Sequence, residues 1–439
     1  MPTPESHPLS NAWQTFWAVI GVPLVLFGVF AVVMQLNPAK TRLGDFSQDW
    51  LSAQCYFAGL SVYEPMANSV PRFLGQKNQG SVDSLSVNAH PPPSVLLALP
   101  LGKLPFATAR LVWNLLSLTS VLLAAVLIVS RRGLALHASN YWPLAVLILA
   151  SGPLMAEVRE AQFNGLLLLM LTLAWLGLRQ HQATLAGLSI GVAAGCKLFP
   201  LYLLWHCLTQ RRWLALAVGS LSFVGLWLLA SLVFGSQTIV TYVRDVLPEV
   251  DAWRGSWLNS SLRGFWCRLL DPGNPYVNPV LVSPPLAKGL YVLSGCLLSG
   301  WVGWRSWRAN NLVERDLAFA ASVLAMLLLS PTTWDHYWLM LFLPLAILWW
   351  RAQWQTATSW LFWSCTLLLV CVRPFWIWTL LGIEIPRIVD GRVSYVAQPL
   401  QSLLVFALPT YALLGLLVLA LSLRAAQDSP DDVSAKTHL

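Results

Sequence analysis

Charged side chains are the scarcest class in this chain. Asp, Glu, Lys and Arg together make up only 10% of the 439 residues, whereas a soluble globular protein has roughly 25%. Hydrophobic residues account for 56%, and the chain contains 24 tryptophans. This composition excludes an ordinary soluble domain and predicts a polytopic membrane protein.

Sequence patterns for cofactor binding are also missing. The chain has no P-loop and no Gly-rich dinucleotide fingerprint, and its His, Cys, Asp and Glu residues show no metal-ligand spacing. The seven cysteines form no CxxC pair and lie mostly in apolar segments. They are interpreted as small core residues, which argues against a disulfide framework. We therefore expect neither a cofactor nor a bound metal.

Long apolar runs occupy most of the chain and predict an all-α fold. The runs cover residues 13–36, 107–130, 141–156, 165–178, 183–208, 213–234, 286–304, 317–330, 337–350, 360–380 and 400–423. Residues 183–208 are interrupted around Lys197 and are interpreted as a hairpin of two half-helices. Because a crossing needs about 20 residues, this leaves about ten full spans, and residues 94–104 predict a re-entrant half-helix.

Basic residues gather in short loops between these runs, and this bias predicts the orientation. The cytoplasmic side is expected to hold Arg131, Arg132, Arg179, Arg211, Arg212, Arg305, Arg308, Arg315 and Arg351. Residues 1–12 are predicted to be a disordered cytoplasmic segment, 13–423 a single transmembrane domain, and 424–439 a polar cytoplasmic tail. The large loops 37–93 and 235–285 then share the outer side, where juxtamembrane helices are expected.

A pair of carboxylates follows the first apolar run. Asp45 and Asp49 are four residues apart, so one helix would present both on the same face. The neighbouring apolar side chains, such as Phe46 and Trp50, would then lie on the membrane while the acids face water. An acidic pair at a membrane surface is a candidate catalytic site. A capped and solvated juxtamembrane helix explains the same pattern equally well.

Two further groups stand where an ionisable side chain is costly and therefore suggests function. Lys197 interrupts an apolar hairpin, where a phosphate or carboxylate partner fits better than snorkelling to the interface. His336 lies in a turn between two short runs and can donate to a phosphate while Asp335 orients its ring. An interfacial cap among Trp and Tyr residues is the alternative for this turn.

The predicted outer loops hold more polar side chains. Gln162 and Asn164 follow an adjacent Arg159–Glu160 pair and can bind sugar hydroxyls. Arg263 lies close to Asn259 and fits either a phosphate clamp or a plain interfacial cation.

Several short motifs occur in a characteristic order between residues 45 and 350. They are Asp45-Phe46, Ala58-Gly59, Tyr63-Glu64-Pro65, His90-Pro-Pro-Pro93, Leu104-Pro105, Ala109-Arg110 with Trp113, Gln162-Phe163-Asn164, Leu185-Ala-Gly-Leu188, Lys197, Pro200, Asn259-Ser-Ser-Leu262 and Ser330-Pro-Thr-Thr-Trp-Asp-His-Tyr337. This ordered set resembles glycosyltransferase family 87, polytopic mannosyltransferase-like proteins of the GT-C superfamily. The chain departs from the family pattern at Ala161, where a glycine often precedes the glutamine, and by carrying Asp49 near Asp45.

The resemblance implies inverting transfer of a hexose, often mannose, from a polyprenyl-phosphate sugar to a lipid or glycan acceptor. The site would face the outside of a bacterial plasma membrane, with these substrates and membrane lipids as partners and no nucleic acid. One carboxylate takes the acceptor proton. The family pattern assigns this role to Asp45, and the presence of Asp49 nearby leaves Asp49 as the alternative. The expected phosphate-binding residues are Lys197, His336 and Arg263, and the expected substrate-binding residues are Gln162, Asn164, Asn259 and Asp335.

Two other classes of protein fit parts of the pattern. Broken helices and a buried lysine also occur in secondary transporters and lipid-linked-sugar flippases. The third possibility is a non-catalytic membrane scaffold, which would not need Asp45, Lys197 and His336 to converge. Convergence of these three around one outer-facing cavity would favour the enzyme, and a midplane site would favour a transporter.

Overall fold

A computed structural model describes residues 11–37, 43–75, 87–130, 141–273, 276–351, 355–371, 378–389 and 392–423. The described chain is predominantly helical, as the apolar runs predict. The helices are α1 Asn11–Leu36, α2 Phe46–Phe57, α3 Met66–Leu74, α4 Pro92–Ala98, α5 Phe106–Val129, α6 Tyr141–Leu149, α7 Gly152–Glu160, α8 Asn164–Arg179, α9 Ala183–Cys196, α10 Tyr202–Thr209, α11 Trp213–Phe234, α12 Gln237–Thr241, α13 Leu247–Asp251, α14 Leu262–Leu270, α15 Pro284–Arg308, α16 Leu312–Leu329, α17 Phe342–Arg351, α18 Thr356–Thr366, α19 Pro399–Leu404 and α20 Leu408–Ser422. The terminal segments predicted at 1–10 and 424–439 lie outside the described residues.

Within the described residues, five helical segments are long and apolar enough to cross a membrane. They are Val19–Leu36, Phe106–Val129, Trp213–Phe234, Pro284–Arg308 and Pro399–Ser422. The expectation of about ten full spans is therefore not confirmed. Several helices are shorter than the apolar runs that predicted them, because a break divides the run or because the helix ends before the run does. The run 141–156, for example, is divided between α6 and α7.

The predicted break at Lys197 is confirmed. Helix α9 ends at Cys196, and Lys197 has extended backbone torsions of φ −142° and ψ 137°. A short 3₁₀ helix, Phe199–Leu201, with proline at its second position, then leads into α10. Proline cannot continue the hydrogen-bond ladder of α9, so the chain turns here and leaves Lys197 at the end of a half-helix.

Helix α2 lies inside the protein and not on the membrane surface. Phe46, Trp50 and Leu51 are buried in the main hydrophobic core, and Asp49 on the same helix is also buried. The ring of Phe46 stacks on Trp113 of α5, with centroids 5.2 Å apart. The interpretation of α2 as a solvated amphipathic helix is therefore wrong, because tertiary packing covers its polar face as well as its apolar one.

One small antiparallel strand pair interrupts the helical pattern. Strand β1, Arg387–Val389, pairs with β2, Arg392–Tyr395. Just beyond it, Ala397 bonds with residues of the second large loop: its N–H donates to the Tyr276 carbonyl at 2.8 Å, and its carbonyl accepts from Asn278 at 2.8 Å. The sequence did not predict these strands, since the apolar runs on either side are helical.

Helices α9 and α11 approach closely through small residues. A Cβ atom added to Gly191 would lie 2.6 Å from the Gly219 carbonyl oxygen and 2.5 Å from the Ser222 side chain. Gly187 makes the same kind of approach to Ala215. Small residues allow such contact between apolar helices, where van der Waals packing takes the place of a hydrophobic driving force. This packing fixes the axis of α9 and thus the position of Lys197 at its end.

We predict that Gly191→Ala lowers the free energy of unfolding by about 1–3 kcal/mol, because the new methyl group must push the two helices apart. Gly225→Ala is the matched control on α11, since no atom lies within 4 Å of a Cβ at that position. Thermal unfolding of the purified proteins in one detergent measures both. Equal melting temperatures for the two variants would contradict the close packing.

Candidate functional site

Asp45 stands at the start of α2, where a close backbone approach fixes it. A Cβ on the preceding Gly44 would lie 2.9 Å from the Glu160 carbonyl oxygen at the end of α7. The Asp45 side chain is half-buried and does not cap its own helix. Its Oδ2 accepts a 2.6 Å hydrogen bond from Gln162 Nε2, and its Oδ1 lies 3.4 Å from Gln48 Nε2. The carboxylate is thus held from one side and remains partly accessible.

The loop that carries Gln162 is held in place by α5. Arg110 donates to the Arg159 carbonyl at 2.7 Å, and Asn114 donates to the Val158 carbonyl at 3.2 Å, which satisfies the last carbonyls of α7. The chain then turns at Ala161, whose φ of 52° lies in the left-handed region. Glycine adopts that conformation without strain, which explains why the family pattern often has glycine here.

Lys197 is the buried cation of the site. Its side chain reaches into the Gln162–Asn164 turn, where Nζ donates to Gln162 Oε1 at 2.9 Å and to Asn164 Oδ1 at 3.2 Å. The ammonium group also lies 4.0 Å from the ring centroid of Tyr337 and 4.9 Å from that of Phe163. A cation over aromatic faces gains electrostatic attraction that partly offsets its desolvation. Lys197 therefore faces the protein interior and does not snorkel.

A carboxylate that the sequence analysis did not identify completes this arrangement. Glu157 of α7 is fully buried and accepts hydrogen bonds from Ser117 Oγ at 2.7 Å, Asn164 Nδ2 at 2.8 Å and the Gly165 N–H at 3.2 Å. Lys197 thus lies between two amides, and each amide donates to a different carboxylate. An acid within the otherwise apolar stretch 152–158 of α7 was the available signal.

Asp49 belongs to a separate, closed cluster. Its Oδ2 lies 2.9 Å from Nδ1 of His90, and its Oδ1 accepts a 3.2 Å bond from Asn88. The Tyr63 hydroxyl donates to the His90 carbonyl at 2.8 Å, and burial raises the pKa of Tyr63 well above its ordinary value, which keeps the phenol a donor. His90 and Asn88 were not predicted as partners of Asp49. The two acids, four residues apart in the sequence, therefore have different surroundings.

His336 and Asp335 lie next to the Lys197 group. The His336 N–H donates to Asp335 Oδ1 at 2.9 Å, and ring atom Nδ1 is 3.5 Å from the same oxygen. The His336 ring meets Tyr337 edge-on, with centroids 4.9 Å apart. Because Tyr337 also lies under Lys197, one tyrosine connects the predicted histidine and lysine.

Asn259 and Arg263 make their described contacts with the second large loop and its neighbouring turn. Arg263 forms an ion pair with Asp251. The Asn259 amide donates to the carbonyls of Arg254 and Pro331, both at 3.0 Å, and its oxygen accepts from the Thr333 N–H at 2.9 Å. These contacts do not bring the two side chains into the Asp45–Lys197 network. The Asn259 bonds brace the turn that leads to Asp335 and His336, whereas the Arg263 ion pair lies within the second large loop.

Residues 88–331 match the family model described as glycosyltransferase family 87. The match covers more than half of the chain and includes Lys197 together with the Gln162–Asn164 turn. The chain therefore belongs to glycosyltransferase family 87, and its apolar helices are compatible with a membrane protein. Among the described residues, no group of three or more His, Cys, Asp or Glu is arranged to hold a metal ion.

Curated relatives include two mannosyltransferases and an arabinofuranosyltransferase. The chain is 29% identical, over 57% of its length, to a polyprenol-phosphate-mannose-dependent alpha-(1-2)-phosphatidylinositol pentamannoside mannosyltransferase of Mycolicibacterium smegmatis, and 28% identical, over 59%, to the Mycobacterium tuberculosis protein of that description. It is 28% identical, over 58%, to an alpha-(1->3)-arabinofuranosyltransferase of Corynebacterium glutamicum. The matches span 57–58% of the relatives' own lengths. No solved structure matches the chain significantly.

We predict that Asp49 and Asp45 differ in their effect on stability. Asp49→Ala removes the partner of the buried His90 ring and one of the two acceptors of the Asn88 amide, which costs about 1–3 kcal/mol for each lost buried partner. Asp45→Ala removes a half-exposed carboxylate and is expected to change the unfolding free energy much less. Thermal unfolding of both variants provides the comparison. A larger loss in Asp45→Ala than in Asp49→Ala would contradict the assignment of Asp49 to a closed structural cluster.

Proposed function

We propose that this protein is a membrane glycosyltransferase that moves a sugar from a polyprenyl-phosphate donor to a lipid or glycan acceptor. Asp45 acts as the general base, Lys197 and His336 bind the donor phosphate, and the site faces the outside of the plasma membrane. One observation carries the proposal: the Gln162 amide bridges Asp45 and Lys197, with bonds of 2.6 and 2.9 Å. A base and a cation are thereby held on opposite sides of a single side chain.

The order of groups suits an inverting displacement. Asp45, Gln162, Lys197, Tyr337 and His336 follow one another through direct contacts. An acceptor hydroxyl beside Asp45 would lose its proton to the carboxylate as its oxygen bonds to the anomeric carbon. The bond from that carbon to the phosphate oxygen breaks on the other side, towards Lys197 and His336. Gln162 lies between, where its amide can bind the sugar hydroxyls.

The leaving group explains why one carboxylate is enough. A polyprenyl phosphate leaves as a stable anion, so no second carboxylic acid has to protonate it, unlike the leaving group in glycoside hydrolysis. It needs nearby positive charge and hydrogen-bond donors instead. Lys197 gives two of its three N–H donors to amides and keeps one for an anion. Asp49 is less suited to be the base, because His90 and Asn88 occupy both of its oxygens.

Mannose is the first sugar to test, because the names of two relatives specify a polyprenol-phosphate-mannose donor. Arabinofuranose is the second sugar to test, because the third relative is an arabinofuranosyltransferase. Asn259 and Asp335 enter the proposal through the turn that Asn259 braces and Asp335 forms beside His336, and Arg263 enters it as a cation of the second large loop, where it pairs with Asp251. Asn164 enters it through its bonds with Lys197 and Glu157.

The test is release of polyprenyl phosphate by the purified full-length protein, with polyprenyl-phosphate mannose, polyprenyl-phosphate arabinose or a nucleotide sugar as donor. A phosphatidylinositol mannoside and a membrane lipid extract serve as acceptors. We expect transfer from a lipid-linked donor and none from the nucleotide sugar. Movement of the intact donor across a vesicle membrane without transfer would instead support the flippase alternative, and robust transfer from the nucleotide sugar would contradict the proposal.

We predict that Asp45→Asn slows transfer by about 10²–10⁴-fold, the usual loss when a general base is removed, while the protein remains folded. Glu64→Gln is the control, because Glu64 is an acid of the same loop whose described side-chain bond is to Asn68. Initial rates at saturating donor give the comparison. Near-normal turnover of Asp45→Asn combined with an inactive, folded Asp49→Asn would assign the base to Asp49.

We predict that Lys197→Met lowers kcat/KM for the lipid-linked donor by about 10–100-fold, the loss of a charge-assisted bond to phosphate. It should also lower the melting temperature, because Gln162 and Asn164 lose the donor to their oxygens. Lys103→Met is the control, since Lys103 lies over the Phe57 ring at 5.7 Å and has no bond to the network. Unchanged donor kinetics in folded Lys197→Met would exclude the lysine from the phosphate site.

A further inference from the structure

A cavity of about 340 Å³ lies at the opposite end of α9 from Lys197. Its lining comes from three places: the α8–α9 turn, the α10–α11 turn, and the α15–α16 connection together with the helix ends on either side of it. The lining residues used below are His181, Gln210, Arg211, Arg212, Trp307 and Arg315. Because α9 has 14 residues, the cavity and Lys197 are about 21 Å apart along the helix. The cavity is thus separate from the candidate catalytic site.

The cavity collects positive charge. Arg211, Arg212 and Arg315 all line it, and none of the three forms an ion pair with an acid among the described residues. Arg212 Nη1 instead lies 3.4 Å from Nδ1 of His181. Burial and the charge of Arg315 lower the pKa of Arg212 from its ordinary value. The two acids that flank Arg315 in the sequence have other described partners: Glu314 accepts the Asn310 N–H, and Asp316 forms an ion pair with Arg179. The three arginines therefore lie around one cavity with no ion-pair partner in the part of the chain that the structure describes.

Two of these side chains are carried on strained backbone. His181 and Arg211 have φ values of 59° and 56°, in the left-handed region at the ends of α8 and α10. Each is followed by a bond that closes the helix end, from Gln182 N–H to the Gly177 carbonyl and from Arg212 N–H to the Cys207 carbonyl. Glycine is the unstrained residue at such an end. The chain has a basic side chain at both, and both side chains line the same cavity.

An amide donor and exposed tryptophans surround the cavity. Gln210 lines the cavity, and its Nε2 is a buried donor that has no hydrogen-bond partner among the described residues. Trp307 lines the cavity and is 56% exposed, and Trp213 and Trp304 nearby in the sequence are exposed as well. Exposed tryptophans are typical of the membrane–water interface. A ligand here would meet cations, a free amide donor and an apolar, aromatic rim.

We propose that this cavity binds the phosphate headgroup of an anionic membrane lipid, with Arg212 and Arg315 as its main ligands. The phosphate would supply the missing counter-charge, accept from Gln210 and lie at headgroup depth, while the acyl chains follow the exposed apolar helices. Basic pockets between transmembrane helices bind anionic headgroups for these reasons. General attraction of basic loops to one membrane face does not require the cations to line one cavity.

Lipid retention by the full-length protein tests the proposal. Protein in micelles is given phosphatidylglycerol or phosphatidylcholine, and bound lipid is counted by native mass spectrometry alongside the melting temperature. We expect phosphatidylglycerol to be retained at least about tenfold better and to raise the melting temperature. Arg212→Gln and Arg315→Gln should each reduce this preference roughly tenfold, the loss of one charge-assisted bond to phosphate.

The control is Arg308→Gln, which removes an arginine from the same end of the bundle. Arg308 lies over the Trp304 ring at 4.8 Å and does not line the cavity, so its loss should leave the preference unchanged. Arg212 and Arg315 lie on different elements, so misfolding of one variant leaves the other to decide. Equal retention of both lipids, an equal effect of Arg308→Gln, or stabilisation by millimolar inorganic phosphate without any lipid preference would each overturn the proposal.

Discussion

The buried ammonium group of Lys197 is the constraint on which the candidate site depends. A cation removed from water is costly unless its donors are satisfied and opposite charge lies close by. Here the amides of Gln162 and Asn164 accept its bonds, and each amide donates to a carboxylate. The lysine is accommodated only while both amides keep this orientation. One cation therefore fixes the relative positions of Asp45 and Glu157.

An amide between the base and the cation has a chemical consequence. A direct ion pair would stabilise the ionised carboxylate and occupy the lone pairs that must accept a proton. The Gln162 bridge instead uses one donor on Asp45 and leaves the carboxylate half-exposed. Asp49, one helical turn later, shows the other arrangement, with His90 and Asn88 bonded to its two oxygens. Of these two aspartates, Asp45 is therefore placed to accept a proton, whereas Asp49 is held by structural hydrogen bonds.

The sequence predicted those features that depend on local pattern. Apolar runs identified the helices, and the lysine and proline of 196–200 identified the break in 183–208. The family motifs brought together Asp45, Gln162 and Lys197. Glu157 was missed because its partner Ser117 is 40 positions away. The count of about ten full spans is not confirmed, because apolar length alone does not show where helical structure stops.

The burial of α2 could not be predicted from the local sequence pattern either. Its polar residues are spaced as on a surface helix, yet distant residues, including Asn88 and His90, cover them. A hydrophobic pattern records which side chains avoid water, but it does not record which polar side chains have found a partner inside. The small strand pair after residue 386 was missed for a related reason, since its pairing depends on two short segments flanked by helices.

The two proposed binding sites lie at opposite ends of α9. Its carboxyl-terminal end carries Lys197, where a cation complements the partial negative charge of the last carbonyls. At the other end of the bundle, Arg212 directly precedes α11 and Arg315 lies in the first turn of α16, where the helix N-termini are partially positive. Cations in those positions add to the local positive potential. Lys197 has protein acceptors for two of its three donors, whereas Arg212 and Arg315 have no ion-pair partner among the described residues.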